Sequence, residues 1–267
     1  LPAAENGEKI ISSHPGSSAG GLIYEKRARL REVLLLLEAA IDHYKNLGAD
    51  VLELTLEEPI FSHPTDDEIR FLLWHRGFTI SEREISSCVD LREEKSWDYF
   101  GKKSNRSCIT SSIRKGARVE DMADPDIVYP IIVESLSSRF NRKPTHSLDE
   151  LKVLKQKYPS RIHFWCVFLG ENPLGTIVTM DANKNAVHDF YVARNYSQPE
   201  PGAMVLLIGS IFEYYKRNNF AWFNFGISSR GDWIKWGILE YKEGMGGRAT
   251  YRETWRMEHL QSYSAYQ

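Results

Sequence analysis

The residues able to do chemistry fall in five places along the chain. Asp189 stands beside His188 in the alternating stretch Ala186 to Val192. Neighbours on a strand face opposite ways, so one of the two can reach a cleft. A strand carboxylate there can take a proton from an amine, or it can close a salt bridge. Asn224 and Ser228 follow a short aromatic run, at the end of a parallel-type strand. They can orient an acceptor or bond the strand end. Lys242 lies between Tyr241 and Gly244 near the end of a predicted helix, where an ammonium commonly faces solvent and complements the helix dipole. His14 to Leu22 reads HPGSSAGGL and leads toward a long helix. Such a loop can hold an anion on backbone N–H groups or serve as a tight connection. Ser104 to Val119 reads as a helix carrying Arg106, Arg114, Lys115 and Arg118. It is either a solvated face or a site that meets phosphates.

The elements that must position these residues repeat. Val205, Leu206, Ile208, Ile211, Phe212 and Tyr215 give one face of a helix. Pro201 stands at its start and Asn218-Asn219 at its end. Ala221 to Phe225 reads as a buried strand, Trp233 to Tyr241 as a short helix, and Arg248 to Trp255 as a closing strand. Earlier, an amphipathic helix over Arg27 to Asn46 is followed by a strand at Val51 to Leu56. A loop with Pro59 and Pro64, a helix from Asp66 to His75 and a strand from Thr79 to Ile85 come next. Both halves run long helix, strand, loop, short helix, glycine, strand. The offset of about 170 residues suggests a diverged duplication of one α/β unit.

Between the halves, Glu93 to Lys103 with Trp97 reads as a crossover. Helices are predicted over Asp124 to Phe140 and over Leu148 to Lys157, the second capped by Ser147 with Glu150. Arg161 to Leu169, Leu174 to Asp181 and Ala186 to Val192 form a meander with turns at Asn172-Pro173 and Asn183 to Asn185. Leu1 to Ser13 reads as two edge strands around Asn6-Gly7.

Composition narrows the field. The net charge of −2 gives no global basic field for a nucleic acid, although a local patch can serve. No apolar run approaches the roughly 18 residues that span a bilayer. Cys88, Cys108 and Cys166 are scattered. That suits reduced thiols in the cytoplasm and argues against a zinc site. HExxH, Walker and CxxC patterns are absent.

Two runs carry a resemblance. Phe223-Asn224-Phe225-Gly226 and Tyr241-Lys242-Glu243-Gly244-Met245-Gly246 look like the Fem-type branch of the GNAT acyltransferase superfamily, with its BioF2-like acetyltransferase group. SNRSCITSSIRKGARVE is similar to a basic segment of the same proteins. The resemblance implies an α/β (α+β) fold of tandem GNAT-like lobes, each a mixed, mostly antiparallel sheet flanked by helices. They are expected over residues 1–91 and 92–267, with the first lobe entered partway, since Leu1 is not Met. It also implies transfer of an acyl or aminoacyl group to an amine of a cell-envelope or polysaccharide precursor. The donor would be an acyl-CoA or an aminoacyl-tRNA, with no tightly bound cofactor and tRNA as a partner.

Residue by residue, the resemblance puts Lys242 at the reaction centre, with little expected contribution to the fold, and Asp189 beside it. His14, Ser17, Ser18, Gly20, Asn224, Ser228 and Tyr241 become substrate contacts. Gly202 and Ala203, at the strand-loop-helix junction, take the donor's phosphates with Arg106 and Arg114. The junction lacks the usual Arg/Gln-x-x-Gly-x-Gly/Ala signature, which shifts weight from coenzyme A toward aminoacyl-tRNA. An acetyl-CoA-dependent N-acetyltransferase and a non-catalytic binding module are the alternatives.

Overall fold

The computed structural model describes residues 3–5, 9–25, 27–62, 67–92, 103–121, 123–200 and 202–264. The turn read at Asn6-Gly7, Pro64, Asp66, Pro201 and the crossover at Glu93 to Lys103, apart from the Lys103 backbone, lie outside them. In chain order the elements are β1 (Ala3–Glu5), β2 (Ile10–Ser13), α1 (Leu30–Asn46), β3 (Val51–Leu56), α2 (Glu68–His75) and β4 (Thr79–Asp90). Then come α3 (Lys103–Arg114), β5 (Ala117–Glu120), α4 (Pro125–Phe140), α5 (Leu148–Lys157), β6 (Ile162–Leu169), β7 (Asn172–Asp181) and β8 (Ala186–Arg194). The chain continues through α6 (Ala203–Arg217), β9 (Trp222–Ile227), β10 (Ser229–Arg230), β11 (Trp233–Ile234), α7 (Trp236–Gly244) and β12 (Arg248–Met257). The chain forms two compact units. One comprises Leu1–Ser86, Ser229–Ile234 and Thr250–Gln267; the other comprises Ser87–Ser228 and Lys235–Ala249.

In the first unit the strand order is β1-β2-β3-β12-β4. β2 and β3 are parallel, and β12 runs antiparallel to β3 from Glu253↔Leu56 to Met257↔Leu52. The spacing of Val33, Leu37, Ile41 and Tyr44 gives α1 one apolar face. That face meets Leu52, Leu54, Leu72, Leu73, Phe78, Trp255 and Met257 in one core. Each such aliphatic side chain contributes about 1.5–3 kcal/mol by leaving water.

The second unit is a meander, β5-β6-β7-β8, antiparallel throughout. β9 then adds parallel to β8, with β4 beside it. β6 reads IHFWCVFL and is buried along almost its whole length, because helices cover both of its faces. On one side lie Leu207, Ile211, Phe212 and Tyr215 of α6. On the other lie Val128 and Ile132 of α4 and Leu151 of α5. Asp124 caps α4 through Asp126 N–H, and Ser147 forms a capping box with Glu150 on α5.

The duplication is visible in strand order. The sequence α1-β3-α2-β4 is repeated as α6-β9-α7-β12. Each repeat's last strand has the other repeat's first strand as a neighbour: β12 lies beside β3, and β4 beside β9. The two repeats thus exchange their final strands in the sheet order.

Four local expectations need correction. The basic helix ends at Arg114; the chain turns at Lys115-Gly116, and Val119 pairs with Val167 as β5. The β6–β7 hairpin turns at Gly170-Glu171, while Asn172 and Pro173 already belong to β7. Trp233 starts no helix; it pairs with Arg230 in a small hairpin, and α7 begins at Trp236. The His14–Leu22 loop does not feed the N-terminus of α1, which forms only at Leu30.

Trp255 tests the exchange, since it lies near the chain's far end yet in the first unit's core. Trp255→Ala should cost about 3–5 kcal/mol. Hydrogen exchange should speed up at Val51–Leu56 while Asn172–Asp181 stays protected.

Candidate active site

The site grows from an interrupted ladder. β8 and β9 pair at Ala186↔Trp222, Val187↔Phe223 and His188↔Asn224, and then pairing stops. Beyond that point β8 runs on to Arg194 and β9 to Ile227. The two strands are parallel, so the gap opens at their C-terminal ends, where open α/β sheets place ligands. A bulge strengthens the divergence. Val178 opposes Tyr191 while Thr179 opposes Asp189, which leaves Phe190 as the extra residue on β8.

Side chains replace the missing ladder bonds. Gly226 N–H donates to Asn224 Oδ1 at 2.8 Å. Lys242 Nζ donates to Gly226 O at 2.7 Å and to Ile227 O at 3.0 Å. Gly226 takes φ of 70°, and a Cβ there would stand 3.3 Å from His188 Cε1. Glycine therefore meets both the backbone and the steric demand. Lys242 is 7% exposed, so it is a buried part of the fold and not the solvated helix-end lysine its position suggests.

The Asn224 oxygen also fixes a tautomer. It already accepts from a backbone N–H, so His188 Nδ1, at 2.8 Å, must be a donor. The neutral imidazole thus carries its proton on Nδ1. Asn224 is fully buried, so it acts on its neighbours rather than presenting an amide to solvent.

Asp189 is buried, and among the described residues no group hydrogen-bonds its carboxylate. Burial raises its pKa, against the smaller attractions of His188 and Lys242. Tyr241 is 41% exposed as a whole, but its phenol end is enclosed. That enclosure pushes the phenol up to about 12, with Asp189 and Tyr196 acting in the same direction and Arg194 opposing. Ser228 is fully buried, and its Oγ has no partner among the described residues. The second unit thus gathers Asp189, Asn224, Ser228, Tyr241 and Lys242 at one strand end.

It does not bring the other expected residues there. Gly202 caps α6, but a Cβ on it would lie 2.5 Å from Cys108 O and closer still to Ser112 Oγ. That glycine is needed because α3 packs against it, and both Gly202 and Ala203 are buried. Arg106 and Arg114 are exposed on α3. In the first unit, His14 and Gly20 line a pocket of about 410 Å³, with Leu22, Leu56, Glu57 and Arg70. Gly20 N–H is taken by Thr55 O, and Gly21 N–H by His14 Nδ1 at 3.3 Å. Ser17 and Ser18 stand outside its lining, exposed. Among the described residues no group of three His, Cys, Asp or Glu is arranged to hold a metal, and no helix is long and apolar enough to cross a membrane.

No family model matches the sequence, and no curated protein matches it significantly. Solved structures do. FemX superposes with a TM-score of 0.70 at 11% identity, over 94% of this chain and 81% of that one. The C-terminal domain of a putative lysylphosphatidylglycerol synthetase from Agrobacterium fabrum gives 0.64 at 12%, over 95% and 79%. A tandem GNAT protein from the clavulanic acid biosynthesis pathway gives 0.54 at 12%, over 95% and 76%. The chain has a Fem-like fold, one it shares with a tandem GNAT protein. In this Fem-like fold, the Phe-Asn-Phe-Gly and Tyr-Lys-x-Gly-Met-Gly runs are the two segments that meet at the interrupted ladder.

Sequence reasoning missed His188 as a partner of Asn224, Arg194 as a charge beside Tyr241, and the clamp made by Lys242. Asn224→Ala should show the first. It leaves the Gly226 N–H unpaired and should cost about 1–3 kcal/mol in urea unfolding. In ¹⁵N NMR the neutral His188 imidazole should be Nδ1-protonated in the parent and lose that preference in the variant. An Nε2-protonated parent would overturn the assignment.

Proposed function

We propose that the protein transfers an acyl or aminoacyl group from an activated ester or thioester to an amine. The observation that carries this reading is Asp189, a buried carboxylate free of hydrogen bonds among the described residues, beside a buried ammonium where two parallel strands part. The Fem-like fold supports it, since solved examples include FemX and a tandem GNAT protein.

The chemistry requires three things of the chain. An attacking amine must lose a proton, and a carboxyl raised above the ordinary aspartate range takes one up more readily than a solvated aspartate. The nitrogen bonds to the carbonyl carbon, and negative charge gathers on the carbonyl oxygen. Lys242 supplies a fixed positive charge for it in a water-poor setting. The carbon–oxygen or carbon–sulfur bond then breaks, and the leaving atom needs a proton. Tyr241, protonated at neutral pH, is the group with one to give. Asn224 and Gly226 keep the strand end in place throughout. Ser228 Oγ, an orphaned buried hydroxyl, is a further bond for substrate. His14 and Gly20 line a second substrate pocket, in the first unit.

The donor is the finer part of the proposal. With α3 packed on Gly202, the N-terminus of α6 is a poor cradle for the pyrophosphate of an acyl-CoA. This favours an aminoacyl ester, carried by tRNA, over coenzyme A. An amine of a cell-envelope precursor is the acceptor class the resemblance suggests. Mass spectrometry of reactions containing charged tRNA or acyl-CoA panels, each with an amine panel, tests the reading. Consumption of neither donor class in the presence of acceptors would sink it.

Two variants probe the roles. Asp189→Asn should lower turnover by roughly a hundred- to ten-thousand-fold. It should also remove the acid limb of the pH–rate profile, a limb lying above the ordinary aspartate value of 3.8. The stability effect has the opposite sign. The folded carboxyl holds its proton more tightly than the unfolded one, so its contribution is full below 3.8 and lost as pH rises through the raised value. Asp189→Asn should therefore melt no lower than the parent at pH 8.

Lys242→Met should lose on both counts. Turnover should fall by on the order of a hundred- to a thousand-fold. Stability should fall by about 1–3 kcal/mol, because Gly226 O and Ile227 O lose their donor. Unchanged turnover in a folded Lys242→Met protein would remove the lysine from the chemistry.

A further inference from the structure

Helix α1 carries more leucine than its core uses. Leu34, Leu35, Leu36 and Leu37 follow one another, so at about 100° per residue they surround the helix. Val33, Leu37, Ile41 and Tyr44 face the core of the first unit. Leu35 points almost directly away from Leu37 and is 57% exposed; Leu36, on the flank, is 45% exposed. Ala39, one turn on from Leu35, is exposed as well. The neighbouring α2 is bonded to α1 through Arg76 Nη2 and Glu38 Oε1, which neutralises Glu38. It exposes Phe71 and Trp74, whose ring centres are 6.0 Å apart.

A basic run opens the same helix. Residues 25–32 read EKRARLRE, four basic side chains against two acidic ones, in a chain whose net charge is −2. Arg27, Arg29 and Arg31 are exposed, and among the described residues no carboxylate pairs with any of them. Glu32 is turned to the backbone, accepting from Arg29 N–H at 2.7 Å. Cations at a helix N-terminus oppose its dipole, so the fold does not explain these arginines. Nor does it explain leucines on the outer face, since a helix that is apolar all round is ordinarily covered on every side.

What covers this face must meet arginine and leucine together. The surface of a bilayer containing anionic lipid does so. Guanidinium groups reach the headgroup phosphates, while their stems and the leucines enter the acyl boundary. An exposed tryptophan fits the same depth. A nucleic acid would meet the arginines and leave the leucines in water. A second copy docked about a two-fold axis would set the arginines against their own counterparts.

We infer that the outer face of α1, with its arginine-rich end, docks the first unit onto an anionic membrane surface. The helix has 17 residues and lies along the headgroup boundary; it does not cross. The inference stands on the first unit alone. It is independent of which group the protein transfers, or whether it transfers one.

The test is flotation of the full chain with two kinds of vesicle, phosphatidylcholine alone and phosphatidylcholine mixed with phosphatidylglycerol. The parent should float with the anionic vesicles, and its partitioning should fall as salt is raised. Two variants separate the contributions, each checked for an unchanged melting temperature. Arg27→Gln/Arg29→Gln/Arg31→Gln should lower partitioning by on the order of a hundredfold, and what remains should respond little to salt. Leu35→Ser/Leu36→Ser should lower it at least about tenfold while keeping the salt response. Velocity sedimentation without vesicles reads the rival occupant. A dimer that the leucine substitutions dissociate, with no flotation, assigns the face to a second copy and overturns the inference. A single-stranded RNA probe bound through the arginines alone, with no flotation, does the same. Flotation indifferent to lipid charge or to both variants, or no flotation of the parent at all, overturns it too.

Discussion

A strand that leaves its ladder must find other partners for its N–H and C=O groups, and the second unit is arranged around that constraint. Past His188 and Asn224 the two parallel strands part. Asn224 takes the Gly226 N–H, and Lys242 takes the carbonyls of Gly226 and Ile227. Every buried backbone group left unpaired would cost a substantial fraction of the stability of an ordinary domain. The polar side chains at this strand end are therefore there first to make an opening possible. The same side chains border the opening, so support and chemistry are carried by one set of atoms.

This double duty explains what the sequence showed and what it concealed. Helix α5 was legible to the residue, because Ser147 and Glu150 form a capping box at close range. β3 was equally plain, since Val51 to Leu56 is apolar and bounded by turn residues. The repeated order of elements showed a duplicated α/β unit, and the resemblance carried by Phe223–Gly226 and Tyr241–Gly246 implied the tandem GNAT-like fold. Lys242 was read as a helix-end residue, but its burial depends on carbonyls 16 and 15 residues upstream. No periodicity reports such a contact. The helix read through Val119 failed because pairing with Val167, far along the chain, outweighed local pattern.

Charge is handled differently in the two units. In the first, the buried Glu253 is met by Arg83 at 2.6 Å and by Arg70 at 3.5 Å, with Trp255 Nε1 at 3.2 Å. A buried carboxylate so surrounded is compensated and inert. In the second, Asp189 is left without hydrogen bonds among the described residues, and its ionised form is disfavoured. The contrast separates a carboxylate that fastens strands from one kept in reserve for a proton.

The traded final strands carry a consequence for biosynthesis. β12 is made after every element of the second unit, yet it lies between β3 and β4 and brings Trp255 and Met257 to the first unit's core. Until those residues leave the ribosome, β3 shows an open edge and the core beneath α1 lacks two of its large side chains. The amino-terminal unit of this chain thus cannot mature in order of synthesis. Its nascent form presents the kind of unpaired edge that chaperones shield and that other chains can join.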